Sequence, residues 1–378
     1  MTPSFKSVII KVTNECNLQC KYCFVSDSVP RRTVINEAIV ELLLKELERV
    51  SSEETIHLVW HGGEPTLAGG EFFCRVKALQ AGREKRFENY IQTNGTLITD
   101  ELIETLHNNG FNIGLSLDGP SSLNDQNRID RNGAGSFQRV SKAIQKLRKR
   151  GIFSGILATI AKHNVDRAEE LYNFCREQEI RLKLSPLYRA GRAIHNIDAL
   201  AITPEEYTRF LNQLAGLWLE DARPVFINPI EALFLGTFAG SKIQRDCSFT
   251  ANCHREFFAI GPTGDLYPCG LFQGLEEFKY GNIFDMAIDE IKQTAVFARL
   301  EHRSEAIASR CQPCDLYEIC YGGCPFQALT GTGDLNKEAP QCTPYREVIS
   351  EMLDQFHEKV KKLRVQKSAS NQNCMKSQ

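Results

Sequence analysis

Six short runs of β-branched and apolar residues alternate with stretches of helical period over the first two-thirds of the chain. The strand-like runs are SVIIKVT from Ser7, TIHLVWH from Thr55, NYIQTN from Asn89, NIGLSLD from Asn112, SGILATI from Ser154 and RLKLSPL from Arg181. Between them, NEAIVELLLKELERV opens on Asn36, whose side chain suits an N-cap, and TDELIETLHNNG runs from a capping Thr99 to Gly110. SFQRVSKAIQKLRKRG and DRAEELYNFCREQE repeat the scheme. Strand–helix units in series predict a parallel sheet with helices outside it. A closed (β/α)8 barrel needs two further units, which do not follow. The expected fold class is therefore α/β: an open, partial (β/α)6 TIM-like barrel over residues 1–225. Beyond the helical pattern TPEEYTRFLNQLAGLWLE the chain turns rich in Cys and Gly, and 240–345 reads as a small metal-organised domain. A last helix is expected over 346–365. The polar end, 366–378, lacks periodicity and is expected to be disordered.

Composition narrows the function. The 378 residues carry a net charge of −2, which gives no case for a nucleic-acid or membrane surface. No signal peptide or membrane-spanning run is visible, so a cytoplasmic protein is expected. The outlier is cysteine, with 14 residues. In a reducing compartment so many thiols point to metal or catalysis rather than disulfides. Three cluster at 16–23 and eight at 247–342. Cys74 and Cys175 read as small buried apolar side chains on helices, and Cys374 lies in the polar end.

Cys16, Cys20 and Cys23 form a C-x3-C-x2-C run just after the first strand. Three thiolates on one tight loop suit a [4Fe–4S] cubane with one iron left open. Three thiolates plus water would also serve zinc. WHGGEP, QTNG and SLDG end the second, third and fourth strands. Taken singly they are turns. In barrel-like folds, however, the C-terminal ends of the strands form the active site, so these motifs should converge on the cysteine loop.

C-x3-C-x-aromatic-C, with Tyr22 as the aromatic, resembles the signature of radical SAM enzymes, and Gly62-Gly63-Glu64 resembles that family's second-strand motif. The resemblance implies that the open iron holds the amino and carboxylate groups of S-adenosylmethionine. It implies reductive cleavage to methionine and a 5′-deoxyadenosyl radical, which abstracts hydrogen from an unactivated carbon. It places Tyr22 near the adenine and gives the methionine amino group to Gly62, Gly63 and Glu64. Ser116 falls near the ribose or carboxylate, Arg128 on the carboxylate, and Leu184 in the adenine pocket. A small electron donor such as flavodoxin or ferredoxin is implied as a partner.

The second cysteine group could, on spacing alone, close two zinc sites. It also resembles the SPASM extension of radical SAM enzymes, which carries two auxiliary clusters and brings the total to three [4Fe–4S] clusters. By that resemblance Cys247, Cys253, Cys269 and Cys324 hold the nearer cluster. Cys311, Cys314, Cys320 and Cys342 hold the outer one. A fully ligated cluster is suited to electron transfer, so the net chemistry is an oxidation.

Two branches of that family are open. One oxidises a Cys or Ser of sulfatases to formylglycine, and GGEPTLAG, QTNGTLI and LSLDGP resemble it. In that branch an Asp follows the third auxiliary cysteine and serves as the base; here the residue is Gly270. Asp265, five residues earlier, reads as part of a turn. The other branch cross-links short ribosomally made precursor peptides, through thioether bonds or through carbon–carbon bonds that close cyclophanes. The missing carboxylate and the compact start at the first strand favour peptide maturation, with cyclophane formation as the expected chemistry. Sulfatase maturation is the alternative, and a non-catalytic zinc-binding module the alternative of another class.

Overall fold

The computed structural model describes residues 5–25, 29, 33–239, 247–250 and 252–375. Six strands follow one another with helices between: β1 (Ser7–Thr13), β2 (Thr55–Gly62), β3 (Arg86–Thr93), β4 (Phe111–Ser116), β5 (Phe153–Ile160) and β6 (Leu182–Pro186). Each pairs in parallel with the next. These are the six runs read from the sequence. The first intervening helices are α1 (Glu37–Val50), α2 (Gly69–Gln80) and α3 (Asp100–Asn108). They begin where the capping residues say. Asn36 accepts from the Ile39 amide at 3.0 Å, and Thr99 from the Leu102 amide at 3.2 Å.

The period of two divides each strand between two environments. On β1, Val8, Ile10 and Val12 are fully buried in the main core. On β2, Ile56, Leu58 and Trp60 are buried in the same layer. The alternate set, Ile9 and Lys11 on β1 and Val59 and His61 on β2, lines the opposite, inner face. There Lys11 stands in register beside His61. Farther round, Gln92 Nε2 donates to Ser116 Oγ at 3.0 Å. Polar groups on this face are affordable only where a ligand or partner group meets them.

The sheet does not stop at six strands. β7 (Ile227–Asn228) continues it past β6, and β8 (Phe257–Ile260), β9 (Asp265–Tyr267) and β10 (Gly281–Asn282) extend it past β1. β8 lies parallel to β1, with Ser7 opposite Phe257, and β9 and β10 return antiparallel. The Cys-rich part is thus built onto the barrel's first edge. It grips a second place as well. Helix α4 (Pro204–Glu220), with a Thr203–Glu206 capping box, carries Tyr207, whose ring packs 6.3 Å from that of Tyr345 on the last helix, α5 (Cys342–Met375). This last helix is longer than the 346–365 expected. Residues 366–375 have no apolar stripe to signal a helix, yet they hold few strong helix breakers. Among the described residues no helix is long and apolar enough to cross a membrane.

Candidate active site

The loop after β1 carries Cys16, Cys20 and Cys23, and three other strand ends hold it. Gln19 N donates to Ile129 O at 2.7 Å and Lys21 N to Asn127 O at 3.1 Å, which ties the loop to the segment after β4. Asn94, after β3, donates to Asn17 Oδ1 at 2.9 Å and to Cys16 Sγ at 3.7 Å. Leu18 N also donates to Cys16 Sγ, at 3.4 Å. Arg192, beyond β6, donates to Cys20 O at 3.0 Å. The predicted convergence of the strand-end motifs is therefore present.

Gly62 and Gly63 serve this loop. A Cβ on Gly62 would lie 2.2 Å from Thr13 O, and one on Gly63 would lie 2.3 Å from Glu15 O. Gly62 also has φ +149°, where glycine is favoured. Glycine is needed here so that the loop's backbone can lie across the end of β2, with Gly63 N donating to Thr13 O at 2.7 Å. Glu64 is fully buried. Its carboxylate accepts from Thr66 N at 3.0 Å, Thr66 Oγ1 at 2.6 Å, Thr93 Oγ1 at 2.5 Å and Asn94 N at 2.8 Å. Burial raises its pKa, and these donors pull it back. The Glu64 oxygens are thus already engaged by the protein's own donors, which knit the ends of β2 and β3.

Arg128 and Tyr22 meet at a residue the sequence reading passed over as part of a turn. Asp118 has no exposed surface. Arg128 Nε donates to its Oδ1 at 3.0 Å, Arg128 Nη2 completes the ion pair 3.0 Å from the same oxygen, and the Tyr22 hydroxyl donates to Oδ2. Thr159 N adds a bond at 2.9 Å, and His163 Nε2 stands 3.6 Å from Oδ2 with its ring stacked on Tyr22. Burial opposes the Asp118 charge, but the Arg128 guanidinium and these donors hold its pKa below the usual carboxylate range. Tyr22 is buried with Ala193 and Leu200 against Cys20. Ser116 is half-buried and Leu184 is buried on β6.

The remaining thiols fall into two further groups. Cys253, Cys269 and Cys324 act on one another electrostatically, as do Cys311, Cys314, Cys320 and Cys342. Cys247 is exposed at the start of a 3-10 turn. Burial pushes Cys16 up to about 11 and Cys20, Cys269 and Cys311 up to about 12. None of these eleven cysteines is joined in a disulfide. Buried, mutually repelling thiols of this kind become thiolates only when a metal's positive charge offsets their burial, so the residues fit iron–sulfur clusters. Among the described residues no three His, Cys, Asp or Glu converge as a single ion's ligands would. Arg303, 3% exposed, stands between the two groups and donates to Gly323 O at 3.0 Å.

Two further inner-face residues escaped the sequence reading. Lys11, 1% exposed, has Nζ 4.8 Å from the centre of the Phe24 ring. Burial lowers its pKa to about 8, against the opposing pull of Cys23 and Cys269. His61 packs edge-on to Phe24 and is lowered to about 3 by burial and by Lys11. A lysine inside a strand pattern carries no signal until the inner face is known to be a site.

Comparison with known proteins bears on this geometry. Residues 10–175 match the radical SAM superfamily, and 247–315 match the SPASM iron–sulfur cluster-binding domain. The latter match decides the zinc alternatives in favour of clusters. A cysteine-type anaerobic sulfatase-maturating enzyme of Clostridium perfringens is 30% identical over 85% of this chain and 89% of its own. A serine-type enzyme of Bacteroides thetaiotaomicron is 27% identical over 84% and 82%. The structure of native anSMEcpe with bound AdoMet and Cp18Cys peptide superposes with a TM-score of 0.82 at 25% identity, covering 94% of this chain and 99% of that one. These relatives overturn the expectation of precursor-peptide cross-linking and cyclophane formation, and favour the alternative. That expectation leaned on the bare Gly270. In the structure the space beside Gly270 is filled: a Cβ there would lie 2.8 Å from Lys11 Cε and 3.3 Å from its Nζ.

Proposed function

Because the chain belongs to the radical SAM enzymes with a SPASM domain, in common with the anaerobic sulfatase-maturating enzymes, we propose that it oxidises a side chain of a sulfatase polypeptide to formylglycine. The observation that carries this reading is the likeness to maturases of known type over more than four-fifths of the chain. Its cofactors are [4Fe–4S] clusters and S-adenosylmethionine. When bound, they supply one-electron chemistry able to take a hydrogen atom from an unactivated carbon.

We assign Cys16, Cys20 and Cys23 to the cluster that binds S-adenosylmethionine. Cys247, Cys253, Cys269 and Cys324 go to the nearer auxiliary cluster, and Cys311, Cys314, Cys320 and Cys342 to the outer one. Ser116 and Leu184 line the S-adenosylmethionine pocket. Arg128 and Tyr22, held by Asp118, form its floor. Gly62, Gly63 and Glu64 shape it by fixing the cysteine loop. Phe24, the residue after Cys23, packs edge to face on Tyr188 with rings 5.9 Å apart and gives this end of the site an apolar wall. A small redox partner such as flavodoxin or ferredoxin supplies electrons, and a reducing cytoplasm suits a chain so rich in thiols.

The balance is that of an oxidation. The substrate Cβ loses a hydrogen atom, its thiol a proton, and the remaining electron would be taken up by the auxiliary clusters that the SPASM cysteines would hold. Water then replaces sulfur at the thioaldehyde carbon, giving an aldehyde and hydrogen sulfide. The test is mass spectrometry of a synthetic sulfatase-motif peptide incubated with the reduced, cofactor-loaded enzyme. Appearance of an aldehyde at the Cys or Ser position is the expected result; an unchanged peptide despite cleavage of S-adenosylmethionine refutes the assignment. Cys314→Ala is expected to keep forming 5′-deoxyadenosine while losing most of the aldehyde. Normal product from that variant would remove the outer group from the electron path.

A further inference from the structure

The sulfatase-maturase reading leaves one question that the geometry addresses: what deals with the substrate's proton when no carboxylate follows Cys269? The answer begins on β1. Lys11 is the one charged residue of that strand, and its side chain projects to the inner face beside His61. Among the described residues no carboxylate pairs with it. Its surroundings are the Phe24 ring at 4.8 Å, the edge-on His61 ring and the backbone at Gly270. A buried ammonium among rings, with Cys23 and Cys269 as its anionic influences, is stabilised further by an anion brought into contact with it.

Its position matters as much as its charge. Lys11 Nζ stands against Phe24, the residue after Cys23 in the first thiol group, and against Gly270, the residue after Cys269 in the second. The reacting carbon must stand between those groups, since one starts the oxidation and the other receives the electron. Gly270 makes room: any side chain there would displace the end of Lys11.

We propose that Lys11 binds the substrate cysteine as its thiolate, and so restricts the enzyme to cysteine-type substrates. A thiol ionises at about pH 8.5 in water and at lower pH beside a cation, so its proton leaves to solvent as the peptide binds. A serine hydroxyl does not ionise beside an ammonium. It needs a base, and the carboxylate that would serve is absent. Lys11 thereby replaces a proton acceptor with a charge partner. This inference rests on the maturase reading above, and the experiment separates the two.

Two synthetic sulfatase-motif peptides, identical but for Cys or Ser at the target, are offered to the cofactor-loaded wild type, Lys11→Met and Lys11→Arg. Conversion is read by mass spectrometry. Proton release on peptide binding is read by calorimetry in two buffers of different ionisation enthalpy, without turnover. The wild type is expected to convert only the Cys peptide and to release a proton on binding it. Lys11→Met should lose conversion by about 100-fold or more and lose the proton release, while Lys11→Arg retains the release. If Lys11→Met converts and releases as the wild type does, or if the wild type converts Ser as readily as Cys, the role of Lys11 is overturned and the maturase reading stands. If neither peptide is bound or converted by the wild type, the maturase reading itself falls, and this inference with it.

Discussion

Asp118→Ala is expected to destabilise the folded protein by about 3–5 kcal/mol, the cost of leaving a buried charge without its partner. The Asp118 carboxylate is wholly enclosed and takes bonds from Arg128, Tyr22 and Thr159. Arg128 is itself buried, over the Tyr22 ring at 5.3 Å. Removing the carboxylate strands the guanidinium beside an aromatic face, which repays only part of its desolvation. The double variant Asp118→Ala/Arg128→Met is therefore expected to regain part of the loss. Apparent urea midpoints of the cofactor-loaded proteins, compared under one protocol, check both statements. Equal midpoints for the wild type and Asp118→Ala would show that the network contributes nothing, and a double variant no better than the single would show that the stranded charge is not the cause.

Cys20→Ala is expected to reduce formation of 5′-deoxyadenosine by more than about 1,000-fold and to lower bound iron by about a third, one cubane of three. Cys20 packs against the cluster of Tyr22, Ala193 and Leu200, and burial raises its pKa to about 12, so the thiol does not ionise by itself at neutral pH. Anaerobic product analysis and iron determination give the two numbers independently. Retained iron with retained cleavage would show that Cys16, Cys20 and Cys23 are not the ligand set. Loss of all iron would show instead that the barrel and the Cys-rich part depend on one another for loading.

The sequence disclosed the barrel because each of its strands is a compact apolar run closed by a polar motif, and because Asn36 and Thr99 mark helix starts. It disclosed the thiol groups through spacing. It could not disclose Asp118, since SLDG reads equally well as a turn. Only the fold brings Arg128, ten residues on, and Tyr22, nearly a hundred residues earlier, to the same carboxylate. It could not place β8 against β1, because a four-residue strand far along the chain carries no pairing signal. The substrate reading failed for the same reason. Gly270 looked like a missing base, and nothing in SVIIKVT announced that its lysine faces that gap.

The pairing of β8 with β1 also sets a timetable. Ser7 finds Phe257 only after some 250 further residues have been made, which at ribosomal speed is on the order of 10–50 s. Throughout that interval the first cysteine loop has left the ribosome while the strand beside it lacks its neighbour. A cluster assigned to Cys16, Cys20 and Cys23 would therefore meet a more open loop during synthesis than after the chain's later part docks.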